Sequence, residues 1–403
     1  MVMLGNAVVS LADTRFFTDT SSLRHVAART GLPNQISGSN TQSGWRCWNY
    51  NYVPCASLRI YFANFYVSST TSGVETGAGG PLTVRVSVEY PRGTFTALQT
   101  ALIADGSYGY VDVPVTIPAF AWYRINGDFN YLSGGRVLSS GWSNAADRGN
   151  GDEYQVGATG YGNAQNDNVL GSGPVAAVFP AAVLATSNRR VWAALGDSIA
   201  AGVNDTIADT AGGRGILGRS LARLGPNLNY GVPGDKVSTI ATSSANRIAL
   251  LQLAGTEGVI LEAGVNDLFS GSRTSAQVLA DRATIRGLMP GALWLDTTIT
   301  PATTSTDNWQ TATNQTTFGA ASNTQRTTFN DALRAGTALA QGSIGTIDIA
   351  ALVETAPSNN AGPVLNGGVW IPGLIGYTDG NHPNSRCCEQ LEPLVTRALL
   401  SRR

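Results

Sequence analysis

The chain has 403 residues, of which 43% are hydrophobic and 13% are charged, with a formal net charge of −1 at pH 7. It is long enough for two domains that each bury a core, and its composition excludes a disordered chain. The net charge is near zero and the sequence has no run of basic residues, which argues against nucleic acid as a partner. The sequence also lacks a run of about 18 apolar residues, so it predicts no membrane span.

The N-terminal residues 1–12 form a weakly apolar run without the basic residues that normally precede the core of an export signal. The sequence therefore leaves the location unknown, with secretion and an intracellular site both open.

Alternating apolar and polar residues between positions 57 and 131 predict antiparallel strands. A glycine and proline cluster at 77–81 predicts a turn, and the small apolar segment 173–187 predicts a last strand between two domains. We expect an all-β, sandwich-like accessory domain in residues 1–188. The clearest alternations lie at residues 58–62, 82–90 and 110–117.

Several aromatic residues of this first domain leave two interpretations open, a glycan-binding face or ordinary core packing, and packing is the commoner fate of large aromatics. They are Trp45, Trp48, Tyr50, Tyr52, Trp122 and Tyr123.

After residue 190, short apolar runs alternate with segments of helical periodicity, a rhythm typical of βαβ units around a parallel sheet. The sequence thus predicts an α/β domain in residues 189–403, with a last helix from about residue 384 to residue 400. The predicted strands are 191–195, 258–263, 292–298 and 345–349, and the other predicted helices are 216–224, 275–288 and 325–339.

The four cysteines match no common zinc-site spacing, so we expect no metal. Cys47 and Cys55 flank a short aromatic segment, which leaves a disulfide between them open. Cys387 and Cys388 are adjacent at the start of the last predicted helix, where small buried side chains pack well.

Two short motifs predict a nucleophile and its base. Ser198 follows a predicted strand and enters a glycine-bearing turn, the position at which α/β sheets present reactive groups. His382 is one of only two histidines, and Asp379 lies three residues before it. These residue types can form a serine nucleophile, an imidazole base and an orienting carboxylate. His25 has no such neighbours and is predicted to be a solvated or a structural residue.

Two further blocks can supply donors to an oxyanion. Gly234 lies in a turn where a bare backbone N–H can approach a substrate, and Asn266 follows the strand that ends near residue 263. Together with the backbone N–H of Ser198, they predict a three-donor oxyanion hole.

The order and residue types of these blocks resemble those of the SGNH hydrolases, also called the GDSL esterase/lipase family, over about residues 190–403. The resemblance implies a three-layer α/β/α fold with a five-stranded parallel sheet, and Ser198, Gly234, Asn266 and His382 as the name-giving residues. Ile199 stands where many members have leucine. The blocks are Gly196-Asp197-Ser198, Gly234, Gly264-Val265-Asn266-Asp267 and Asp379-Gly380-Asn381-His382-Pro383.

The other common serine-hydrolase fold fails on its motif. An α/β-hydrolase requires Gly-x-Ser-x-Gly, and Ala200 occupies the place of the second glycine after Ser198.

The predicted substrate is a small ester or an acetylated glycan, with no cofactor. Trp309, Trp370 and Tyr377 lie in long polar loops, where they either form an aromatic rim for a sugar or anchor the loops. We therefore expect a carbohydrate O-acetylesterase; a short-chain carboxylesterase or lipase, and a glycan-binding module with a vestigial site, remain alternatives.

Overall fold

A computed structural model of the chain describes residues 17–68, 73–132, 134–140, 152–158, 162, 164–165, 170, 178–206, 211–359, 362–375 and 379–401. The N-terminal apolar run and Tyr377 lie outside the described residues.

The first half of the chain is a strand-rich lobe. Its strands are β1 (Phe17–His25), β2 (Gln35–Ile36), β3 (Gln42–Asn51), β4 (Cys55–Ala63), β5 (Phe65–Val67), β6 (Glu75–Gly77), β7 (Leu82–Glu89), β8 (Gln99–Ile103), β9 (Tyr108–Ile117), β10 (Ala121–Tyr131), β11 (Leu138–Ser139), β12 (Glu153–Val156) and β13 (Ala182–Arg189).

Two antiparallel sheets dominate this lobe, in the orders β1-β13-β4-β9 and β12-β3-β10-β7-β8. Ile60 and Val113 from the first sheet share one fully buried core with Val84 and Ile125 from the second. The predicted all-β, sandwich-like architecture is thereby confirmed. The aromatic residues divide: Trp45, Tyr52 and Tyr123 belong to this core, whereas Trp48, Tyr50 and Trp122 are half-buried.

The second half of the chain is an α/β lobe. Its strands are β14 (Val191–Gly196), β15 (Asn227–Gly231), β16 (Thr256–Glu262), β17 (Leu293–Thr297), β18 (Thr303–Ser305), β19 (Gln315–Thr317), β20 (Ser343–Ile347), β21 (Glu354–Thr355) and β22 (Val369–Trp370). Its helices are α1 (Ser198–Ala201), α2 (Gly215–Leu224), α3 (Val237–Ser243), α4 (Ala245–Leu253), α5 (Val265–Phe269), α6 (Ser275–Leu288), α7 (Ala320–Arg334), α8 (Ala350–Val353) and α9 (Ser385–Ser401).

A five-stranded parallel sheet in the order β15-β14-β16-β17-β20 forms the middle layer of this lobe. Alternate residues of its strands enter different cores. Val259 and Leu261 pack in the core that contains Ile285 of α6, whereas Ile260 packs in the core that contains Leu391 of α9. Because both faces of the sheet are covered by helices, the lobe has the three-layer α/β/α fold expected from the sequence.

The structure adds one sheet strand to the four that apolar runs predicted. β15 carries Asn227 and Asn229, and their side chains form hydrogen bonds to backbone groups instead of facing water. Asn229 donates from Nδ2 to the Ala200 oxygen at 2.9 Å and accepts from the Gly231 N–H at 2.9 Å. These local bonds satisfy the polar side chains inside the fold.

The two lobes pack closely where β13 leads into β14. Tyr61 of the strand-rich lobe belongs to the same hydrophobic core as Leu228 and Tyr230 of the α/β lobe. The Tyr230 hydroxyl also donates to the Ala181 oxygen at 2.9 Å. Since one core crosses this junction, the division of the chain at residue 188 stays a prediction.

His25 is a structural residue of this junction, which is one of the two roles expected for it. Its side chain is fully buried; Nδ1 accepts from the Val183 N–H at 3.1 Å, which leaves Nε2 to donate to the Asn227 oxygen at 3.1 Å. Burial lowers the pKa of His25 to about 4, so the imidazole is neutral at physiological pH.

The four cysteines are free thiols in this structure, so the disulfide considered between Cys47 and Cys55 is not formed. Cys387 and Cys388 are fully buried within α9, which confirms that they pack in the core. In the described ranges, no helix combines the length and the apolar character that crossing a membrane requires.

Candidate active site

Ser198 begins α1 directly after the carboxyl end of β14, and it is buried, with 5% of its surface exposed. Asp197 caps this short helix, because its Oδ1 accepts the Ile199 N–H at 2.9 Å. A Cβ atom at Gly196 would lie 1.7 Å from the Glu262 carbonyl oxygen. Only glycine fits there, so the turn that presents Ser198 depends on the Gly-Asp-Ser sequence.

The structure brings Ser198, His382 and Asp379 together. His382 Nε2 lies 2.6 Å from Ser198 Oγ, and His382 Nδ1 lies 3.0 Å from Asp379 Oδ2. Both distances are within hydrogen-bonding range, although 184 positions separate the serine from the histidine. The arrangement allows the imidazole to take a proton from the hydroxyl while the carboxylate orients the ring.

Asp379 is held in place by three donors besides the imidazole. Its Oδ1 accepts the backbone N–H groups of Asn381 at 3.1 Å and His382 at 2.9 Å, and its Oδ2 accepts from Asn204 Nδ2 at 3.3 Å. Burial would raise the pKa of Asp379, but the hydrogen bonds and charge of His382 and the backbone N–H groups lower it to about 2. The carboxylate is therefore ionised at neutral pH. Asn204 is a contributor that the sequence motifs did not indicate.

Gly380 anchors the loop that carries Asp379 and His382 to the body of the lobe. Its carbonyl oxygen accepts the Thr303 N–H at 2.9 Å and the Trp370 indole N–H at 3.0 Å. A Cβ atom at Gly380 would lie 1.5 Å from the Thr303 oxygen, so glycine is required at this close approach. Asn384 then caps α9 by accepting the Cys387 N–H at 3.0 Å, which fixes the other end of the loop.

The contact to Gly380 favours one of the two roles considered for Trp370, that of a loop anchor. Trp370 is fully buried and belongs to the core beneath the loop. Its side chain does not line the cavity described below, so it acts as a loop anchor and not as a rim for substrate.

The three expected oxyanion donors follow the carboxyl ends of neighbouring strands. In the sheet, Gly196 of β14 pairs with Gly231 of β15 and with Glu262 of β16. Ser198, Gly234 and Asn266 come two, three and four residues after these positions, so the register places them at one edge of the sheet. Blocks that are far apart in the sequence therefore lie at the same edge of the sheet.

Direct contacts join the Gly234 turn to the Asn266 turn. Gly234 has a φ of 81°, in the left-handed region that favours glycine, and the next carbonyl oxygen, of Asp235, accepts from Asn266 Nδ2 at 2.9 Å. Asp267 accepts the N–H groups of Val237 at 2.9 Å and Ser238 at 3.3 Å, at the start of α3. Both residues of the Asn-Asp pair thus hold the two turns together.

A comparison with family models matches residues 194–387 to the GDSL-like lipase/acylhydrolase family. The chain carries a GDSL-like lipase/acylhydrolase domain. The match extends from β14 into α9 and includes all four sequence blocks, so the resemblance seen in the sequence is confirmed. The family is one of acylhydrolases, so the match over residues 194–387 supports a hydrolase.

Solved structures similar to the chain include three esterases or lipolytic proteins. A peptidoglycan O-acetylesterase is 12% identical, covering 94% of this chain and 82% of its own, with a TM-score of 0.37. A carbohydrate esterase family 3 protein from Talaromyces cellulolyticus is 16% identical, covering 52% and 96%, with a TM-score of 0.34. A member of the lipolytic G-D-S-L family from Veillonella parvula is 16% identical, covering 53% and 99%, with a TM-score of 0.35. At such scores the assignment depends on the family match. No curated protein matches the chain.

A cavity of about 540 Å³ in the GDSL-like domain opens beside the loop that contains Asp379, Gly380 and Asn381. Asn266 and Asp379 line it together with the aromatic residues Phe269, Trp309 and Phe318. The lining also includes hydroxyl groups of the β18–β19 hairpin. The cavity therefore offers both apolar faces and hydrogen-bonding groups next to Asn266, one of the predicted oxyanion donors.

Two of these aromatic residues differ in how they are held. Trp309 is half-buried and donates from its indole N–H to Thr303 Oγ1 at 2.9 Å. Phe318 is 57% exposed and was not singled out in the sequence. Among the residues that the structure describes, no cluster of three or more histidine, cysteine or acidic side chains could hold a metal ion.

A pair of buried carboxyl groups lies at the turn that carries Ser198 in the GDSL-like domain. Asp197 and Glu262 are 0% and 2% exposed. Burial raises the pKa of Asp197 well above its ordinary value, and the charge of Glu262 raises it further. Burial also raises the pKa of Glu262 to about 7, although Arg282 opposes this shift. The pair therefore retains a proton at neutral pH, which lets one carboxyl group donate to the other.

This shared proton predicts how stability depends on pH. A raised pKa in the folded state favours folding at low pH, and that contribution is lost as the pH rises from about 4.5 to about 7. Glu262→Gln removes the ionisation, so we expect its free energy of unfolding, relative to that of the natural protein, to increase between about pH 5 and about pH 8. Urea unfolding at both pH values measures the difference.

Glu389→Gln is the control, because Glu389 has 53% of its side chain exposed. Its unfolding free energy should follow that of the natural protein at both pH values. If Glu262→Gln also follows the natural protein in parallel, the carboxyl pair does not hold a proton in the folded state.

Proposed function

We propose that the protein is a serine carboxylic-ester hydrolase that works through an acyl-enzyme intermediate. The observation that carries the proposal is the continuous set of contacts from Ser198 Oγ through His382 to Asp379. These three side chains would be the catalytic residues, in the roles of nucleophile, general base and orienting carboxylate.

In the first half of the reaction, Ser198 Oγ forms a bond to the ester carbonyl carbon while its proton moves to His382 Nε2. The tetrahedral intermediate collapses, the bond to the alcohol oxygen breaks, and His382 gives the proton to the leaving alcohol. In the second half, His382 takes a proton from water, the resulting hydroxide attacks the acyl carbon, and Ser198 recovers its proton as the acid leaves. The ionised Asp379 stabilises the imidazolium in both halves.

The negative oxygen of each tetrahedral intermediate would be stabilised by the backbone N–H groups of Ser198 and Gly234 and by the Asn266 amide. Asn266 Nδ2 carries two hydrogens, and the contact to the Asp235 oxygen uses one of them. The second hydrogen is available to the oxyanion. Because these donors are fixed before substrate arrives, they lose little free energy in reorganising during the reaction.

For the substrate, we propose O-acetyl groups on a carbohydrate. The cavity beside Asn266 and Asp379 combines the aromatic faces of Trp309 and Phe318 with threonine and serine hydroxyls. Aromatic faces pack against the C–H surface of a sugar ring, and hydroxyl groups can pair with those of the sugar. Short-chain carboxylic esters are the alternative substrates, since the same apolar walls can hold a small acyl group.

Two measurements test this function. The first compares initial rates on p-nitrophenyl esters of increasing acyl length, and the second follows acetate release from acetylated xylan or another acetylated glycan. The proposal predicts that acetate esters react fastest and that acetate is released from a glycan. Faster hydrolysis of long acyl chains would instead support a lipase, and no hydrolysis of any ester would support a binding module with a vestigial site.

The sugar subsite makes a prediction for Phe318. We expect Phe318→Ala to raise KM for an acetylated oligosaccharide by roughly three- to tenfold, the scale of one aromatic packing contact, and to leave p-nitrophenyl acetate hydrolysis within about twofold. Phe120→Ala is the matched control, because Phe120 is similarly exposed, at 53%, in the strand-rich lobe. Equal effects of Phe318→Ala on both substrates would contradict a sugar subsite at this position.

A further inference from the structure

A carboxylate from the strand-rich lobe caps a helix of the α/β lobe. Glu75, in β6, accepts the backbone N–H groups of Asn246 and Arg247 at 2.9 Å each, in the first turn of α4. The N-cap residue of that helix, Ser244, forms no side-chain capping bond of its own. A negative group at this end of a helix satisfies free N–H groups and interacts favourably with the helix dipole.

The same carboxylate holds a fully buried guanidinium. Arg247 is 0% exposed; its Nε donates to Glu75 Oε1 at 3.3 Å, and its Nη2 donates to the Gly73 oxygen at 3.1 Å. Its Nη1 donates to Asp235 Oδ2. A buried charge is stable only when it is paired and hydrogen-bonded, so Glu75 and Asp235 are tied to each other through Arg247.

Gly73 brings the strand-rich lobe into direct contact with Asp235. A Cβ atom at Gly73 would lie 1.8 Å from Asp235 Oδ1, and the φ of Gly73 is +94°. Asp235 in turn is the residue after Gly234, and its carbonyl oxygen accepts from Asn266 Nδ2 at 2.9 Å. Contacts therefore run from Glu75 through Arg247 and Asp235 to both the Gly234 turn and the Asn266 amide.

We propose that Glu75 is a positioning residue for the oxyanion hole, so that the strand-rich lobe completes the geometry of the catalytic site. This inference rests on the proposed esterase function. Without the carboxylate, Arg247 loses one of its two ionic partners and α4 loses its cap, and the Asp235 turn is free to shift. The donors would then be displaced from the oxyanion, which forms only in the transition state, so kcat is affected more than substrate binding.

The test uses the full chain with Glu75→Gln, which keeps the size of the side chain and removes its charge. We expect kcat on p-nitrophenyl acetate to fall at least tenfold with KM within about twofold, and the affinity for a boronic acid transition-state analogue to fall in parallel. Gly73→Ala is the second variant, because its added methyl group displaces Asp235 without removing a charge, and it should show the same pattern.

Asp112→Asn is the matched control in the same lobe. Asp112 forms an exposed pair with Arg59 at 2.8 and 2.9 Å, and its loss should leave kcat unchanged. Circular dichroism and the melting temperature establish that each variant is folded at the assay temperature.

The outcomes separate this inference from the proposed function. If the natural protein hydrolyses no ester, the esterase proposal fails. If the natural protein is active, the variants that fold decide the question. The inference is overturned if the folded variants among Glu75→Gln and Gly73→Ala keep kcat within twofold, because Glu75 then only stabilises the fold. A lowered melting temperature with an unchanged kcat has the same meaning.

Discussion

Replacing Ser198 with alanine should lower kcat for p-nitrophenyl acetate by about 10⁴-fold or more, with the protein still folded. This substitution removes only the hydroxyl group, whose oxygen lies 2.6 Å from His382 Nε2. Without it no acyl-enzyme can form, and only the slow attack of water, assisted by the oxyanion donors, remains. Steady-state kinetics with active-site concentration taken from protein absorbance measure the loss.

Ser401→Ala is the control for this variant. Ser401 is an exposed residue in the last turn of α9, where its hydroxyl donates to the Ala398 oxygen at 2.9 Å. Its removal should leave the rate unchanged. A Ser198→Ala protein that retains more than about a tenth of the natural rate would show that another group performs the chemistry.

Asp379→Asn should lower kcat by roughly 10⁴-fold while KM changes little. The carboxylate accepts a hydrogen bond from His382 Nδ1 at 3.0 Å, which leaves Nε2 free to take the serine proton. An asparagine amide can donate to Nδ1 instead, and the ring then carries its proton on Nε2, where it cannot act as the base. The pH-rate profile of kcat/KM, together with kcat, measures this change.

Asp331→Asn provides the matched control, since Asp331 is an exposed partner of Arg334 on α7. It should leave both kinetic constants unchanged. If Asp379→Asn also retains most of the natural rate, the imidazole is oriented by another group, and the assignment of Asp379 would be contradicted.

The parallel sheet could be predicted from sequence because buried parallel strands are continuous apolar runs. β14, β16, β17 and β20 all coincide with such runs, to within two residues at every boundary. The catalytic blocks follow the ends of strands, so a correct sheet already places Ser198 and Asn266 at one edge. The scarcity of histidine then made His382 the candidate base before its position was known.

β15 was missed because asparagine is depleted in strands. The hydrogen bonds that satisfy its two asparagine side chains are visible only in the three-dimensional structure. Asn229 is satisfied by Ala200 and Gly231, which belong to a neighbouring helix and to its own strand. The sequence shows two polar side chains but not the backbone groups that accept and donate to them.

The contacts that support the site were missed for a related reason. Asn204 reaches Asp379 across 175 positions, and Glu75 reaches Arg247 across 172. Neither residue belongs to a motif, and contacts at such separations follow from the packing of whole lobes. Likewise, the sequence predicted that both Trp309 and Trp370 lie in long loops, and it could not show that Trp309 is half-buried whereas Trp370 is fully buried.

The central claim is that His382 makes Ser198 a nucleophile, and covalent labelling with a fluorophosphonate followed by peptide mass spectrometry tests it most directly. The structure predicts one phosphonylated residue, Ser198, in the natural protein, and a labelling rate reduced by at least about 100-fold in His382→Ala. Labelling at a different serine, no labelling at all, or an unchanged rate in His382→Ala would contradict the account.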